Sequence, residues 1–363
     1  MKQPTISIIL PTYRVEKYIK QCLNSIVIQD GFPAFEVIIV HDGMRSADRT
    51  AQIAAEYAQK YPNIHLVRKA HAGVSAARNA GLAMATGKYI SFVDPDDKVG
   101  GIMGMYERVL PARPDESAAN LVVRHGVFDF STSSPELNLD SKYFQRMLDL
   151  AERTNADVAL AGKITYRKIP DPGMTDRWNV RSTMYTTNRP FDTSANSKEI
   201  LMEQAQMRES ANFALYRRDF LQKHNLHFVT DMNLDEDVLF CQQCVLYANR
   251  VVTVADSAYL YNNHPNSLSY IVDEAESARK YHQAHLQHFS IWADDLSRFP
   301  ELGHVYKRWL SKLARIQNAP RLAKCADCTA EDGCATCSKH ADAFQQIQDN
   351  IKTLTPNYRP KAR

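Results

Sequence analysis

Short apolar runs alternate with segments of helical spacing over the first 97 residues. Four β-branched, apolar runs, each short enough for a buried parallel strand, lie at residues 6–10, 35–40, 64–67 and 89–93. Apolar residues recur at helical spacing in the three segments between them, 15–29, 47–60 and 74–85. This alternation, with short loops, predicts an α/β protein built on a doubly wound, mostly parallel sheet.

The pattern loosens after residue 97. Residues 98–138 contain a glycine pair, prolines and a Ser/Thr/Pro stretch, which predict an insertion. Within it we expect one strand, at 121–123 or at 127–130.

Regular patterns return beyond residue 140. Helical spacing covers 141–153, and a strand pattern covers 158–164. Residues 168–195 are polar and carry three prolines, so we expect a long mobile loop there. Residues 211–270 mix short helices and strands, and the chain from 274 onward is typical of helices.

Composition places the chain among globular proteins. Apolar residues make up 44% of its 363 residues and charged residues 23%, with a net charge of +3, so neither disorder nor a nucleic-acid partner is indicated. The sequence contains no run of ~18 uninterrupted apolar residues, so we expect no transmembrane helix. It also shows no signal-peptide pattern at the N-terminus. We therefore expect a cytoplasmic protein, in which stable disulfides are rare.

Three carboxylates directly follow the fourth predicted strand, at Asp94, Asp96 and Asp97. Ligands of open parallel sheets bind at the carboxyl ends of the strands, so these acids would lie at the binding edge. Neighbouring negative charges repel unless a cation lies among them, and Mg²⁺ and Mn²⁺ prefer oxygen ligands and bridge phosphates. The alternative is a solvated turn, because Asp and Pro are ordinary turn formers.

Two further residues fall at the same predicted edge. Asp42 follows the second strand, where its carboxylate can accept a hydrogen bond from a nucleobase N–H, and the adjoining Gly43 permits close approach of a ligand. Arg78 lies near the start of the third helix, where it offers planar donors to phosphate or forms a surface ion pair. A dinucleotide-binding loop and a P-loop are disfavoured, because neither glycine pattern occurs.

Four motifs together resemble the nucleotide-binding half of glycosyltransferase family 2. In order they are SIILPTY at 7–13, VHDG at 40–43, GVSAARNAGL at 73–82 and GKYISFVDPDD at 87–97. The resemblance implies a GT-A fold and an inverting enzyme that uses a nucleotide-sugar, very often a UDP-sugar, with a divalent metal. It further implies a glycan or lipid-linked glycan acceptor, in the synthesis of bacterial surface polysaccharide or lipopolysaccharide.

The resemblance also implies roles for residues around the nucleobase. Pro11 and Tyr13 would line the nucleobase pocket, with Tyr13 stacking on the base, and Asp42 would contact the uracil. His41 departs from the family pattern, which usually carries an acid there, and Met44 replaces the usual serine.

Around the diphosphate, the resemblance places Arg78 near the donor phosphates. Asp94 and Asp96 would form the D-x-D pair that holds Mn²⁺ or Mg²⁺, with Asp96 as the more direct ligand. More loosely, the resemblance extends to about residue 270. There His264 is a candidate metal or diphosphate ligand, although a packed histidine is the alternative.

A second group of acids, Asp235 to Asp237, precedes an apolar helical run. One explanation is that these acids lie at a helix N-terminus, where their negative charges complement the helix dipole. The resemblance instead implies the general base, which we assign to Asp237 with Glu236 as a supporting group or runner-up. Asp237 would take the proton of an acceptor hydroxyl as that oxygen attacks the anomeric carbon.

Four cysteines near the C-terminus form two C-x-x-C pairs: Cys325, Cys328, Cys334 and Cys337. Four soft ligands in such pairs are typical of structural Zn²⁺. Free thiols and disulfides formed on oxidation are the alternatives. The sequence predicts that Cys22, Cys241 and Cys244 are core residues.

These interpretations predict a catalytic domain over 1–270, made of a nucleotide-binding half at 1–97, the insertion at 98–138 and an acceptor-binding half at 139–270. A helical C-terminal region with the cysteine cluster would occupy 271–363. Its basic amphipathic stretch at 304–315 either packs on the catalytic domain, which we favour slightly, or makes the protein peripheral on the inner face of the cytoplasmic membrane.

Two other functions compete with the transferase. A sugar nucleotidylyltransferase also binds nucleotides on a doubly wound sheet, but we find no glycine-rich basic loop near the N-terminus. A non-catalytic nucleotide-sugar-binding scaffold would not need Asp94, Asp96 and Asp237. No motif identifies the donor sugar, the linkage or an oligomeric state.

Overall fold

The computed structural model describes residues 3–44, 48–100, 121–129, 140–168, 177–185, 187–204, 210–232, 235–264, 288, 291–292, 295 and 298–303. The cysteine cluster at 325–337 and the basic stretch at 304–315 lie outside these residues, as does most of the 98–138 insertion. The chain divides into two compact units, the first formed by Met1–Thr230 with Phe240–Tyr270 and the second by Asp231–Leu239 with Ile271–Arg363.

All the described strands belong to one sheet in the first unit. They are β1 (Ile6–Thr12), β2 (Phe35–Asp42), β3 (Ile64–Lys69), β4 (Tyr89–Phe92), β5 (Lys98–Val99), β6 (Leu121–Asp129), β7 (Val158–Lys168), β8 (Arg177–Tyr185), β9 (Arg189–Phe191), β10 (Ala214–Arg217) and β11 (Val251–Asn262). The described helices are α1 (Ile19–Val27), α2 (Thr50–Lys60), α3 (Val74–Met84), α4 (Tyr143–Thr154), α5 (Ala195–Gln204), α6 (Arg218–Lys223) and α7 (Glu236–Tyr247).

The sheet runs in the order β3-β2-β1-β4-β10-β7-β11-β5. Its first four strands pair in parallel, with Ile6 of β1 between Phe35 of β2 and Tyr89 of β4. Strands β1 and β2 are buried along their whole length, which explains why their sequences are mostly apolar. The predicted doubly wound α/β sheet is therefore confirmed, with antiparallel pairing added where β10 meets β4 and β7.

The expected loop at 168–195 is wrong. Strand β8 fills its centre and pairs antiparallel with both β6 and β7, and β9 pairs with β11. Strand β7 precedes β8 closely along the chain, whereas β6 is distant in sequence from β8 and β11 from β9. These pairings satisfy backbone groups that a polar, proline-bearing segment would otherwise leave to water. Strand β6 covers the first position proposed for a strand in the insertion, 121–123, and residues 127–129 of the second.

A buried carboxylate joins β1, β2 and the turn before β4. One oxygen of Glu36 accepts hydrogen bonds from the backbone N–H groups of Thr86, at 2.6 Å, and Gly87, at 3.0 Å, and from the hydroxyls of Ser7 and Thr86. A Cβ on Gly87 would lie 2.6 Å from the backbone nitrogen of Ser7, so only glycine fits there. This contact holds the start of β4 beside β1.

Three of the cysteines lie in the core. Cys22, Cys241 and Cys244 are buried, as predicted. Within the described part of the chain, no helix is both long enough and apolar enough to cross a bilayer.

Candidate functional site

The acidic turn after β4 is held by side chains from distant parts of the first unit. Asp94 accepts a hydrogen bond from Arg78 Nη2 at 3.0 Å on one oxygen, and from Asn212 Nδ2 at 2.6 Å on the other. Asp96 Oδ2 lies 3.0 Å from His264 Nε2. The side chains of Asp94 and Asp96 remain 26% and 23% exposed, so a ligand can reach both carboxylates.

Asp97 has a different environment from the other two acids. It is buried, and its Oδ1 accepts the backbone N–H of Asn262 at 2.8 Å. Burial, followed by the charges of Asp96 and Asp94, raises the pKa of the Asp97 carboxyl well above its usual range. Asp97 therefore anchors the turn to the end of β11, and the alternative of a simple solvated turn is wrong.

The side chains at the acidic turn could supply part of the coordination shell of a hard divalent cation, and a bound ligand would supply the rest. Asp96 Oδ2 and His264 Nε2 are 3.0 Å apart, so the two side chains are in direct hydrogen-bond contact and face the same point at the end of the turn. Among the described residues, no group of three or more His, Cys, Asp or Glu side chains is arranged to hold a metal. Mg²⁺ is usually held by one or two carboxylates with phosphates and water, so a small protein donor set is expected for it.

Helix α3 fixes Arg78 at this edge of the sheet. Arg78 is 3% exposed, and its guanidinium lies 5.1 Å from the centroid of the Phe228 ring. The neighbouring Asn79 bonds both the N–H and the C=O of Phe228, at 2.9 and 2.7 Å. Because Arg78 is buried against an aromatic ring and paired with Asp94, a surface ion pair is not its role.

A second polar cluster lies at the ends of β2 and β3. The Asp42 carboxylate accepts hydrogen bonds from Lys69 Nζ at 2.6 Å, from the backbone N–H of Ala72 at 3.0 Å and from that of Gly73 at 2.8 Å. Burial alone would raise the pKa of the Asp42 carboxyl, but these donors together lower it below its ordinary value. Asp42 is therefore a fixed, ionised acceptor.

Aromatic rings lie beside that acceptor. Tyr13 is 39% exposed, and its ring stacks on His71 with centroids 4.4 Å apart. A Cβ on Gly43 would lie 3.4 Å from the Tyr13 ring, so glycine keeps this approach open. Pro11 is buried within β1. His41 is also buried, and burial lowers the pKa of its imidazole.

The sequence interpretation missed several residues of these clusters. Lys69 and His71 lie at the end of β3, and the rule that ligands bind at carboxyl ends of strands, applied to that strand, would have found them. Tyr18 stacks on His264 with centroids 4.4 Å apart. Neither Tyr18 nor Asn212 belongs to a motif that we could recognise, because each acts through contacts with residues far along the chain.

The predicted base lies in the second unit. Glu236 and Asp237 occupy the first turn of α7, where Glu236 is buried and Asp237 is partly exposed. Asp237 Oδ1 accepts the N–H of Val238 at 2.8 Å. The assignment of the general base to Asp237 stays a prediction.

Comparison with known proteins identifies relatives of this chain. Residues 7–101 match the model of glycosyl transferase family 2. The chain is 29% identical over 274 residues to the uncharacterized glycosyltransferase EpsJ of Bacillus subtilis, covering 74% of this chain and 64% of EpsJ. It is 28% identical over 305 residues to the uncharacterized glycosyltransferase YibD of Escherichia coli, covering 82% of this chain and 74% of YibD. The chain thus spans just under two thirds of the length of EpsJ.

A third relative matches a shorter segment. The minor teichoic acid biosynthesis protein GgaB of Bacillus subtilis is 40% identical over 147 residues, which cover 40% of this chain and 16% of GgaB.

Solved structures share the fold. Residues 1–349 of Staphylococcus aureus TarS superpose with a TM-score of 0.59 at 19% identity, covering 96% of this chain and 83% of that one. The same TarS fragment in complex with UDP-GlcNAc gives a TM-score of 0.53 at 19% identity, covering 98% and 91%. The chain therefore has a GT-A fold, and over residues 7–101 it is similar to glycosyl transferase family 2.

Proposed function

We propose that this protein is an inverting glycosyltransferase that moves a sugar from a UDP-sugar to a hydroxyl of a glycan acceptor. The observation that carries the proposal is the arrangement of Asp94 and Asp96 with Arg78, Asn212 and His264 at the carboxyl end of β4. The TarS complex with UDP-GlcNAc supports a UDP-sugar as donor. GgaB supports a bacterial cell-surface polymer of the teichoic acid kind as the product.

The residues around the acidic turn bind the donor in this proposal. Arg78 offers its guanidinium to the phosphate oxygens, and its bond to Asp94 keeps the planar group oriented. Asp96 and His264 would hold a divalent metal, which when bound supplies positive charge for the departing nucleoside diphosphate. Tyr13 and Asp42 provide a stacking surface and a hydrogen-bond acceptor for the base.

Asp237 acts on the acceptor in the proposed reaction. Its carboxylate takes the hydroxyl proton while the acceptor oxygen forms a bond to the anomeric carbon. The bond from that carbon to the diphosphate breaks on the opposite face, so the anomeric configuration inverts. No covalent intermediate on the enzyme is needed, unlike in retaining hydrolases that use a carboxylate nucleophile.

Asp237→Asn tests the general base. We expect the substitution to reduce sugar transfer by about 10²- to 10⁴-fold, because the amide cannot accept the proton. UDP affinity, measured by calorimetry, should stay close to that of the wild type. Asp219→Asn, at an exposed position in α6, is the matched control and should retain full activity. A fall in UDP affinity equal to the fall in rate would contradict the role of Asp237.

Asp96→Ala tests the donor site. In the wild-type protein, Mn²⁺ should increase the rise in melting temperature that a UDP-sugar produces, because a ligand that binds only the folded state stabilises it. We expect Asp96→Ala to abolish this Mn²⁺ effect. UDP-, GDP- and CDP-sugars are compared in the same thermal-shift screen. Stabilisation of the wild type by none of the three would refute the proposed function.

A further inference from the structure

His71 occupies a position in the Tyr13–Asp42 cluster that the proposed reaction leaves without a role. Its imidazole stacks on Tyr13 with centroids 4.4 Å apart and an interplanar angle of 24°. Its Nδ1 lies 2.9 Å from Asp42 Oδ2 and 3.1 Å from the Asp42 carbonyl oxygen. Both of those oxygens are acceptors, so Nδ1 carries the hydrogen and donates it.

These two contacts are the ones that the proposed function requires of the donor base. A pyrimidine would stack flat on Tyr13 and donate a ring N–H to Asp42. At a centroid separation of 4.4 Å, the Tyr13 and His71 rings are already in van der Waals contact, so no base fits between them. The imidazole and a base cannot use this face of Tyr13 and this edge of Asp42 at the same time.

We propose that His71 fills the nucleobase position in the free protein and leaves it when the donor binds. This inference rests on the proposed function. The His71 side chain is 57% exposed, so it can turn into solvent. When it leaves, Lys69 and the backbone N–H groups of Ala72 and Gly73 still hold the Asp42 carboxylate. The freed atoms, Oδ2 and the carbonyl oxygen of Asp42, are acceptors, so they select a base that presents an N–H, as uracil does at N3.

Displacing His71 costs free energy, because the imidazole must give up its stacking contact with Tyr13 and its hydrogen bond to Asp42. This cost weakens donor binding. Removing the imidazole should therefore strengthen binding of any ligand that carries the base. Ligands that lack the base should bind unchanged, because His71 contacts the base position and not the acidic turn.

Calorimetry with UDP and with inorganic pyrophosphate, both in the presence of Mn²⁺, tests the inference. We expect His71→Ala to lower the dissociation constant of UDP by about tenfold and to leave that of pyrophosphate unchanged. His65→Ala, an exposed histidine on β3, is the matched control and should bind both ligands as the wild type does. In the wild type, the NMR signal of the His71 ring should move on addition of UDP toward that of a solvent-exposed histidine.

Other outcomes identify which idea fails. If His71→Ala binds UDP as tightly as the wild type does, or more weakly, then His71 does not compete with the base and only this inference is overturned. If the folded wild type and His71→Ala both fail to bind UDP, the proposed function is overturned together with it. A tighter interaction with pyrophosphate as well as UDP would also refute the displacement.

Discussion

At the scale of single residues, each charged group of the candidate site already has an internal partner. Arg78 lies on Asp94, His264 on Asp96 and Lys69 on Asp42. These pairs hold the acids in place by direct contacts of 2.6–3.0 Å, which leave no room for a ligand between the partners. A donor that binds here must therefore replace these internal contacts with contacts of its own. Its affinity then depends on the difference in free energy between the two sets of contacts.

Glu36 gives a prediction at the scale of single residues, because its buried carboxylate joins β1, β2 and the turn before β4. Burial alone would raise the pKa of the Glu36 carboxyl, but hydrogen bonds from Ser7, Thr86 and Gly87 lower it below the ordinary value of 4.5. A lowered pKa means that the ionised group stabilises the fold fully above pH 4.5. That contribution is lost as the pH falls through the lower pKa of the folded state.

We expect Glu36→Gln to lower the free energy of unfolding by about 1–3 kcal/mol at pH 7, because the four donors that converge on one oxygen would lose the negative charge they bond. The difference from the wild type should shrink as the pH is lowered below 4.5. Urea unfolding at pH 7 and at acidic pH measures both values. Glu56→Gln, an exposed acid on α2, should change stability little at either pH. An equal difference at both pH values would contradict the role of the Glu36 charge.

At the scale of elements, β11 connects the late part of the chain to the acidic turn. The hydroxyl of Tyr259 accepts the backbone N–H of Asp94 at 3.0 Å. Asn262, at the end of the strand, bonds the carbonyl oxygen of Asp96 at 3.2 Å. Strand β11 thus determines where the turn lies, although the motif that contains the turn gives no sign of it.

Tyr259→Phe removes this connection while keeping the buried ring. We expect a loss of about 1–3 kcal/mol in the free energy of unfolding, because the backbone N–H of Asp94 loses its partner. Tyr61→Phe, which keeps its ring against Phe32, is the control and should cost less. Thermal or urea unfolding of the three proteins measures the difference. If the two variants lose equal stability, the Tyr259 hydroxyl does not hold the turn.

At the scale of the whole molecule, the part predicted from sequence is the part whose contacts are local in sequence. Strands β1 to β4 and helices α1 to α3 follow from periodicity, and their parallel arrangement follows from the strand–helix alternation. The pairing of β8 with β6 and the Asn212–Asp94 bond join residues remote in sequence, and no local pattern encodes them. For the same reason, Asp94 and Arg78 could be predicted for the site, whereas Tyr18 and Asn212 could not.

The distance along the chain between the acidic turn and its partners also governs the order of events on the ribosome. His264 follows Asp96 by 168 positions. At about 5–20 residues per second, translation adds that many residues in about 10–30 s. The turn therefore leaves the exit tunnel with its carboxylates hydrated and mutually repelling. The contacts that fix the turn, from Tyr259, Asn262 and His264, therefore form only after β11 and the residues just beyond it have been synthesised.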